Sequence, residues 1–138
     1  MPTSAAKEQL VYMITAKSIV AAFTWLSSAV SAHNQVPPAI LKAVEQQESG
    51  GKWLIVSSGG CVGVMQILPR YSRVPRSLLF IGPINRLEGA RHLMGWYRSA
   101  RGDWRRALAA YNCGYAGLGG KCGTGYAASV LRRAKIKE

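Results

Sequence analysis

The sequence predicts one compact domain that contains helices and is preceded by an apolar helical segment. Three features indicate this: an apolar run over residues 10–32, apolar side chains at helical spacing from about Pro37 to Glu48, and a basic C-terminal tail on a terminal helix. With 138 residues, the chain is long enough to bury a core without metals or disulfides. We therefore expect a single domain over residues 33–138 and a separate segment over residues 1–32.

The N-terminal segment has three interpretations. Lys17 interrupts the apolar run, and serines and threonines punctuate it. A basic start, apolar residues from Ser18 to Leu26 and small residues from Ala29 to Ala32 are compatible with an export signal. The run also suits a membrane anchor, or a helix that packs on the domain or on a partner.

The first helix of the domain has recognisable ends. Asn34 can cap it, and Pro37 and Pro38 suit a first turn because the amide hydrogens there have no partner within the helix. The sequence Ser-Gly-Gly at residues 49–51 predicts its end.

One carboxylate extends the apolar face of this helix. Ile40, Leu41, Val44 and Glu48 share a face, whereas Glu45 points away from it. Burial beside an apolar face raises the pKa of a carboxyl group and keeps it protonated near neutrality. Cleavage of a glycosidic bond needs such an acid. A structural Glu48 paired with an arginine is the alternative.

The chain has few other acids to assist Glu48. A mechanism with two carboxylates must find both of them among six residues: Glu8, Glu45, Glu48, Glu88, Asp103 and Glu138. Two of these lie near the termini, and Glu88 and Asp103 lie among arginines, where we expect exposed ion pairs. Glu45 and Glu48 remain as the candidates for such a pair.

The net charge of +12 predicts an anionic partner surface. Phospholipid, wall polymers and nucleic acid all qualify, but the arginines are not accompanied by a nucleic-acid-binding motif, which disfavours nucleic acid. A solvated basic surface that only aids solubility is the alternative.

Three motifs resemble the soluble lytic transglycosylase family. Glu48-Ser49, then Ser57, Gly60-Cys61, the residues Gly63-Val64-Met65-Gln66-Ile67 and Pro69 are similar to that family's catalytic region. Asn85, Gly89 and Leu93 match its next helix, and Ala110-Tyr111-Asn112-Cys113-Gly114 matches its Ala-Tyr-Asn-Ala-Gly element. The resemblance covers about residues 36–131.

The resemblance implies a mainly α, lysozyme-like fold, with the apolar N-terminal helix as an addition. It also implies cleavage of the bond between N-acetylmuramic acid and N-acetylglucosamine in peptidoglycan. In this family one Glu acts as acid and then as base, while the muramic 6-hydroxyl attacks and leaves a 1,6-anhydro end. Glu48 takes that role, which needs no second carboxylate.

The resemblance also implies substrate contacts. Ser57, Met65, Gln66, Tyr111 and Asn112 match positions that line the glycan cleft or support the catalytic Glu. Gln66 and Asn112 offer amides to the sugar, and Tyr111 can bond near the carboxyl group while it stacks on sugar. Core packing is the alternative for Met65.

Some positions depart from the family pattern. His92 stands where the family has Tyr, and the C-terminal element lacks the family's Glu, although it keeps Tyr126 as a contact to substrate or to Glu48.

Cysteines and histidines add two expectations. Cys113 and Cys122 bracket a glycine-rich loop and can form a disulfide in an oxidising compartment, which leaves Cys61 as an unpaired thiol. Reduced thiols throughout are the alternative. His33 and His92 do not form a metal-binding pattern, so we expect neither metal nor cofactor.

We therefore expect a peptidoglycan lytic transglycosylase that opens the wall locally, in the periplasm or cell-wall space. Phage entry or lysis, with the protein associated with the virion, and secretion or conjugation machinery are the settings that the interpretation suggests. In these settings residues 1–32 would contact partner proteins, and the basic surface would contact anionic membrane or wall polymers. A hydrolytic muramidase and a noncatalytic virion or secretion assembly protein are the alternatives.

Overall fold

The computed structural model describes residues 1–137 and is mainly helical, as the sequence predicts. Within these residues β-structure is limited to isolated bridges, formed by Val56 and Ile67 with Val62. Two short 3-10 helices cover Pro69–Tyr71 and Arg76–Phe80. The α-helices are α1 (Ser4–Gln35), α2 (Pro38–Ser49), α3 (Gly82–Ser99), α4 (Trp104–Cys113), α5 (Tyr115–Leu118) and α6 (Thr124–Arg133).

The buried residues of helix α1 lie in its C-terminal third. Thr3 caps its start, with the side-chain oxygen accepting a hydrogen bond from the Ala6 amide at 3.2 Å. Near the other end Ala29 and Ala32 are buried and Trp25 is partly buried, where α1 contacts α3. The helix therefore joins the core from about Trp25 onward.

The preceding part of α1 is exposed and apolar. An 18-residue window has a mean hydropathy of 1.4, and none of it is buried. Length and composition would let this helix cross a membrane, although a signal sequence near an N-terminus has the same properties. Helix α1 runs unbroken past residue 32, and the division into residues 1–32 and 33–138 stays a prediction.

Helix α2 begins later than the sequence suggested. Asn34 lies in the last turn of α1, so the prediction that it caps α2 was wrong; Pro37 is the cap residue and Pro38 the first helical residue. The two prolines prevent one continuous helix because they provide no amide hydrogen there. Helix α2 ends as predicted, at Gly50, whose φ of 64° is left-handed.

The core lies between α2, α3, α4 and α6. Helix α3 packs on α1 and α4, and α6 packs on both α4 and α2. Ile40 and Val44 are fully buried, which confirms the apolar face of α2. These helices form the frame on which the long connection over residues 50–81 lies.

One buried amide holds that connection in place. Asn85 on α3 is fully buried, and its Oδ1 accepts a hydrogen bond from the Met65 amide at 2.9 Å. Its Nδ2 donates to the carbonyl oxygens of Val62 and Leu79, both at 2.8 Å. Three backbone groups of the connection are therefore satisfied by one side chain.

Gly63 permits this close approach. Its φ is 77°, and a Cβ there would lie 2.4 Å from Asn85 Nδ2 and 2.6 Å from the Leu79 carbonyl oxygen. Both the backbone angle and the contact require glycine.

We predict that Gly63→Ala lowers the free energy of unfolding by about 2 kcal/mol or more, because the methyl group displaces the Asn85 amide and the left-handed backbone becomes strained. Urea denaturation measures this. Gly95→Ala is the matched control: Gly95 lies inside α3 with no atom within 4 Å of an added Cβ. We expect this control to stabilise by about 0.5–1 kcal/mol. Equal effects of the two changes would contradict the assignment.

Candidate active site

A cleft of about 500 Å³ lies where α2, α4 and the 50–81 connection meet. Five of the seven side chains that the sequence nominated line this cleft: Glu48, Ser57, Gln66, Tyr111 and Asn112. Helices α2 and α4 supply Glu48, Tyr111 and Asn112, and the connection supplies the other two. Residues that are distant along the chain therefore share one cavity.

Glu48 lies in the last turn of α2, largely withdrawn from solvent. Burial raises the pKa of its carboxyl group above the ordinary value of 4.5, and the hydrogen bond from Tyr126 opposes part of that rise. This direction agrees with the expectation from the apolar face of α2. The carboxyl group can therefore hold its proton at a higher pH than an exposed Glu.

Tyr126 on α6 is bonded directly to this carboxyl group. Its Oη donates to Glu48 Oε1 at 2.6 Å. Burial and the nearby Glu48 charge raise the pKa of the Tyr126 hydroxyl, so it remains a donor. Of the two contacts that the sequence allowed for Tyr126, the structure provides the one to Glu48.

Ser49 fixes the end of α2 against the connection. Its side chain is buried, and its Oγ donates to the Val64 carbonyl oxygen at 2.8 Å and accepts from the Gly51 amide at 3.1 Å. Because Ser49 follows Glu48 directly, these bonds determine where the Glu48 backbone lies. The sequence marked this residue only as part of a motif, without indicating its bonds.

The polar groups of Gln66 and Tyr111 donate hydrogen bonds to backbone carbonyl oxygens of the protein itself. Gln66 Nε2 donates to the Gly63 carbonyl oxygen at 3.0 Å and to that of Ile55 at 3.4 Å. Tyr111 Oη donates to the Met65 carbonyl oxygen at 2.7 Å. The Tyr111 hydroxyl therefore bonds to the connection and not to Glu48 itself, although burial and, after it, the charge of Glu48 raise the pKa of this hydroxyl. Its ring still lines the cleft.

Met65 lies beneath the cleft. Its side chain is fully buried and packs against Gly89 of α3, where an added Cβ would approach Met65 Cε to 2.6 Å. The expectation that Met65 binds substrate gives way to the packing alternative, since a fully buried side chain has no surface for sugar.

Ser57 closes a tight turn at the edge of the cleft. Its Oγ accepts from the Cys61 amide at 3.0 Å, and its own amide donates to the Cys61 carbonyl oxygen at 2.9 Å. Asn112 lines the cleft and is exposed. No cluster of three or more His, Cys, Asp and Glu side chains suited to a metal occurs among residues 1–137.

The other acids among residues 1–137 do not line the cleft. Glu45 pairs with Arg86, and Asp103 caps α4 by accepting from the Arg106 amide at 3.1 Å. Glu88 is fully buried, so the exposed ion pair expected for it was wrong. Among residues 1–137, Glu48 is the only carboxylate that lines the cleft.

Six further residues with side chains line the cleft without having been nominated as catalytic or substrate-binding: Cys61, Ile67, Leu68, Tyr71, His92 and Cys113. Cys61 and His92 lie within the motifs, but a motif match does not reveal which of its members face the cavity. Cys61 is a free thiol, whereas Cys113 and Cys122 form a disulfide that ties the end of α4 to the start of α6.

We predict that Tyr126→Phe raises the pKa of Glu48 further, because the lost hydrogen bond stabilises the carboxylate form. A carbon-13 NMR titration of the Glu48 carboxyl carbon measures it. Tyr97→Phe is a matched control, since Tyr97 stacks on Trp104 instead. An unchanged or lowered pKa in Tyr126→Phe would refute the assigned role of the bond.

We predict that Glu48→Gln is more stable than the parent at neutral pH. A raised pKa in the folded state means that stability is full below the ordinary value of 4.5 and is lost as pH rises through the folded-state pKa. Glutamine avoids that loss, so the difference between the two proteins should vanish in acid. Urea denaturation across pH tests this, and a difference that stays constant with pH would count against it.

Comparison with known proteins agrees with this geometry. The model of the Transglycosylase SLT domain family matches residues 26–127. The fold is similar to that of the 70 kDa soluble lytic transglycosylase of Escherichia coli, with a TM-score of 0.54 and 21% sequence identity. That match covers 73% of this chain and 17% of the larger enzyme. The cleft and its motifs lie inside the matched segment, and the chain belongs to the transglycosylase SLT domain family.

Proposed function

We propose that this domain is a peptidoglycan lytic transglycosylase in which Glu48 is the acid and base. The observation that carries the proposal is Glu48 itself: a cleft carboxyl group with a raised pKa and, among residues 1–137, without a second carboxylate on the cleft wall. Membership of the SLT family supports the substrate class.

In the first step Glu48 protonates the oxygen of the bond between N-acetylmuramic acid and N-acetylglucosamine. A carboxyl group with a raised pKa suits this step, because it holds its proton to a higher pH than an exposed Glu and the leaving oxygen needs a proton as the C–O bond breaks. Tyr126 Oη bonds to Oε1 and leaves Oε2 for proton exchange with the sugar. Glu48 is then a carboxylate, as the second step requires.

In the second step Glu48 takes the proton from the muramic 6-hydroxyl as that oxygen attacks the anomeric carbon. The proton that Glu48 gave to the leaving sugar is thereby replaced, and the muramic acid ends as a 1,6-anhydro sugar. This route suits the cleft because the nucleophile comes from the substrate. A retaining hydrolase would need a second carboxylate about 5 Å from the first.

The net charge of the chain and the exposed part of α1 support a function at the cell envelope. A net charge of +12 attracts anionic polymers and lipid headgroups, and α1 exposes an apolar stretch of membrane-spanning length. We propose local wall opening from the periplasm or cell-wall space. Phage and secretion settings remain the hypotheses that the sequence suggested.

We predict that Glu48→Gln lowers the clearing of purified sacculi by about 100-fold or more, because glutamine cannot donate the proton. Glu45→Gln is the matched control on the same helix: it breaks the ion pair with Arg86 but leaves the cleft intact, so activity should stay within about threefold. Mass spectrometry of the parent digest should give 1,6-anhydro ends.

Three results would contradict the proposal, each in its own way. Full clearing by Glu48→Gln would remove Glu48 from the mechanism. Reducing ends in the digest would identify a hydrolytic muramidase. A folded parent that leaves sacculi intact would favour the noncatalytic assembly protein.

A further inference from the structure

A buried carboxylate lies directly behind the cleft wall. Glu88 on α3 is fully buried, and two of its five hydrogen bonds come from Arg91, whose Nε and Nη2 donate at 3.0 and 2.6 Å. Trp25 Nε1 donates at 2.6 Å and the Arg73 amide at 3.0 Å. Although burial raises the pKa of Glu88, these donors hold it well below its ordinary range, so Glu88 is an acceptor.

The fifth hydrogen bond comes from a side chain of the cleft wall. His92 Nε2 lies 3.1 Å from Glu88 Oε1, one helical turn away, and His92 also lines the cleft with Glu48. An ionised carboxylate only accepts hydrogen bonds, so Nε2 must carry the hydrogen. The tautomer of a neutral His92 is therefore fixed, with the lone pair on Nδ1.

The remaining ring nitrogen is not buried. Among residues 1–137 every buried side-chain nitrogen or oxygen has a hydrogen-bond partner. Nδ1 forms no such bond within this part of the chain, so it retains some exposure, on a side chain that lines the cleft. When His92 is neutral, Nδ1 is therefore the ring nitrogen left to accept a hydrogen bond from a ligand.

We propose that His92 binds an N-acetylated sugar through Nδ1, and that Glu88 is the positioning residue that holds its ring. An acetamido N–H or a sugar hydroxyl is the donor that this acceptor fits. Glu88 needs no contact with sugar to act, since it determines both the orientation and the tautomer of His92. The inference rests on the proposed function for its ligand class and assigns a contact that Glu48 chemistry does not require.

Binding in the Glu48→Gln background tests the proposal without turnover. Calorimetry with an N-acetylglucosamine tetramer should show that adding His92→Phe weakens affinity about 5- to 10-fold, the size expected for one lost hydrogen bond. His33→Phe, which removes the other histidine, should leave affinity unchanged. Equal affinity with and without His92→Phe would overturn the proposal.

Two further substitutions test which ring nitrogen of His92 contacts the sugar. Asparagine places its amide near the position of Nδ1, whereas glutamine reaches the position of Nε2. His92→Asn should keep affinity within about threefold of the Glu48→Gln parent, and His92→Gln should lose as much as His92→Phe. The reverse order would mean that Nδ1 is not the contact.

A double-mutant cycle tests whether Glu88 acts on sugar binding through His92. Glu88→Gln should weaken binding when His92 is present and have no further effect in the His92→Phe background, because its influence passes through the ring. Additive losses would assign Glu88 a structural role. If Glu88→Gln does not fold, the His92→Asn and His92→Gln pair decides the proposal.

Different results would reject the proposed function and the proposed His92 contact. In the otherwise unaltered enzyme, His92→Phe should raise the KM for sacculi with little change in kcat, since it removes binding common to ground and transition states. An unchanged KM rejects the His92 contact alone. A folded parent that neither binds the tetramer nor clears sacculi rejects the substrate class and both proposals with it.

Discussion

The cleft depends on the hydrogen bonds of one buried amide, the side chain of Asn85. The connection over residues 50–81 has little regular structure of its own, so its buried backbone groups need partners from elsewhere. Asn85 satisfies the Met65 amide and the carbonyl oxygens of Val62 and Leu79. Removing this side chain would leave the buried Met65 amide without its partner and would take one donor each from the Val62 and Leu79 carbonyl oxygens, which is costly in a low-dielectric interior. Gly63 fits beside it because it lacks a side chain.

The position of Glu48 follows from this arrangement. The connection that Asn85 holds presents the Val64 carbonyl oxygen to Ser49 and the Met65 carbonyl oxygen to Tyr111. Helix α2 and helix α4 are thereby joined to the same loop, with Glu48 between them. The carboxyl group is desolvated because these elements close around it, and Tyr126 from α6 restrains it on a further side. The raised pKa is thus a product of packing.

Two carboxyl groups, one on α2 and one on α3, have opposite properties. Glu48 has one neutral donor, so desolvation dominates and its pKa rises. Glu88 accepts five hydrogen bonds from four residues, two of them from the guanidinium of Arg91, so hydrogen bonding dominates and its pKa falls. The first is suited to proton transfer and the second to holding neighbours in place. Trp25 connects α1 to the second, which gives the packed part of α1 a polar anchor point as well as apolar contacts.

The sequence by itself determined the helical character, the phase of α2 and five of the residues that meet in the cleft. These are local properties: a carboxyl group four residues after Val44 must share its face, and a Ser-Gly-Gly stretch must end the helix. Tertiary structure decided what each of those side chains does. Gln66 and Tyr111 line the cleft, yet their hydrogen bonds go to backbone carbonyl oxygens of the connection, and Met65 is buried beneath the cleft. The burial of Glu88 also escaped prediction: its arginine neighbours in the sequence suggest an exposed pair, and only packing against α1 removes it from water.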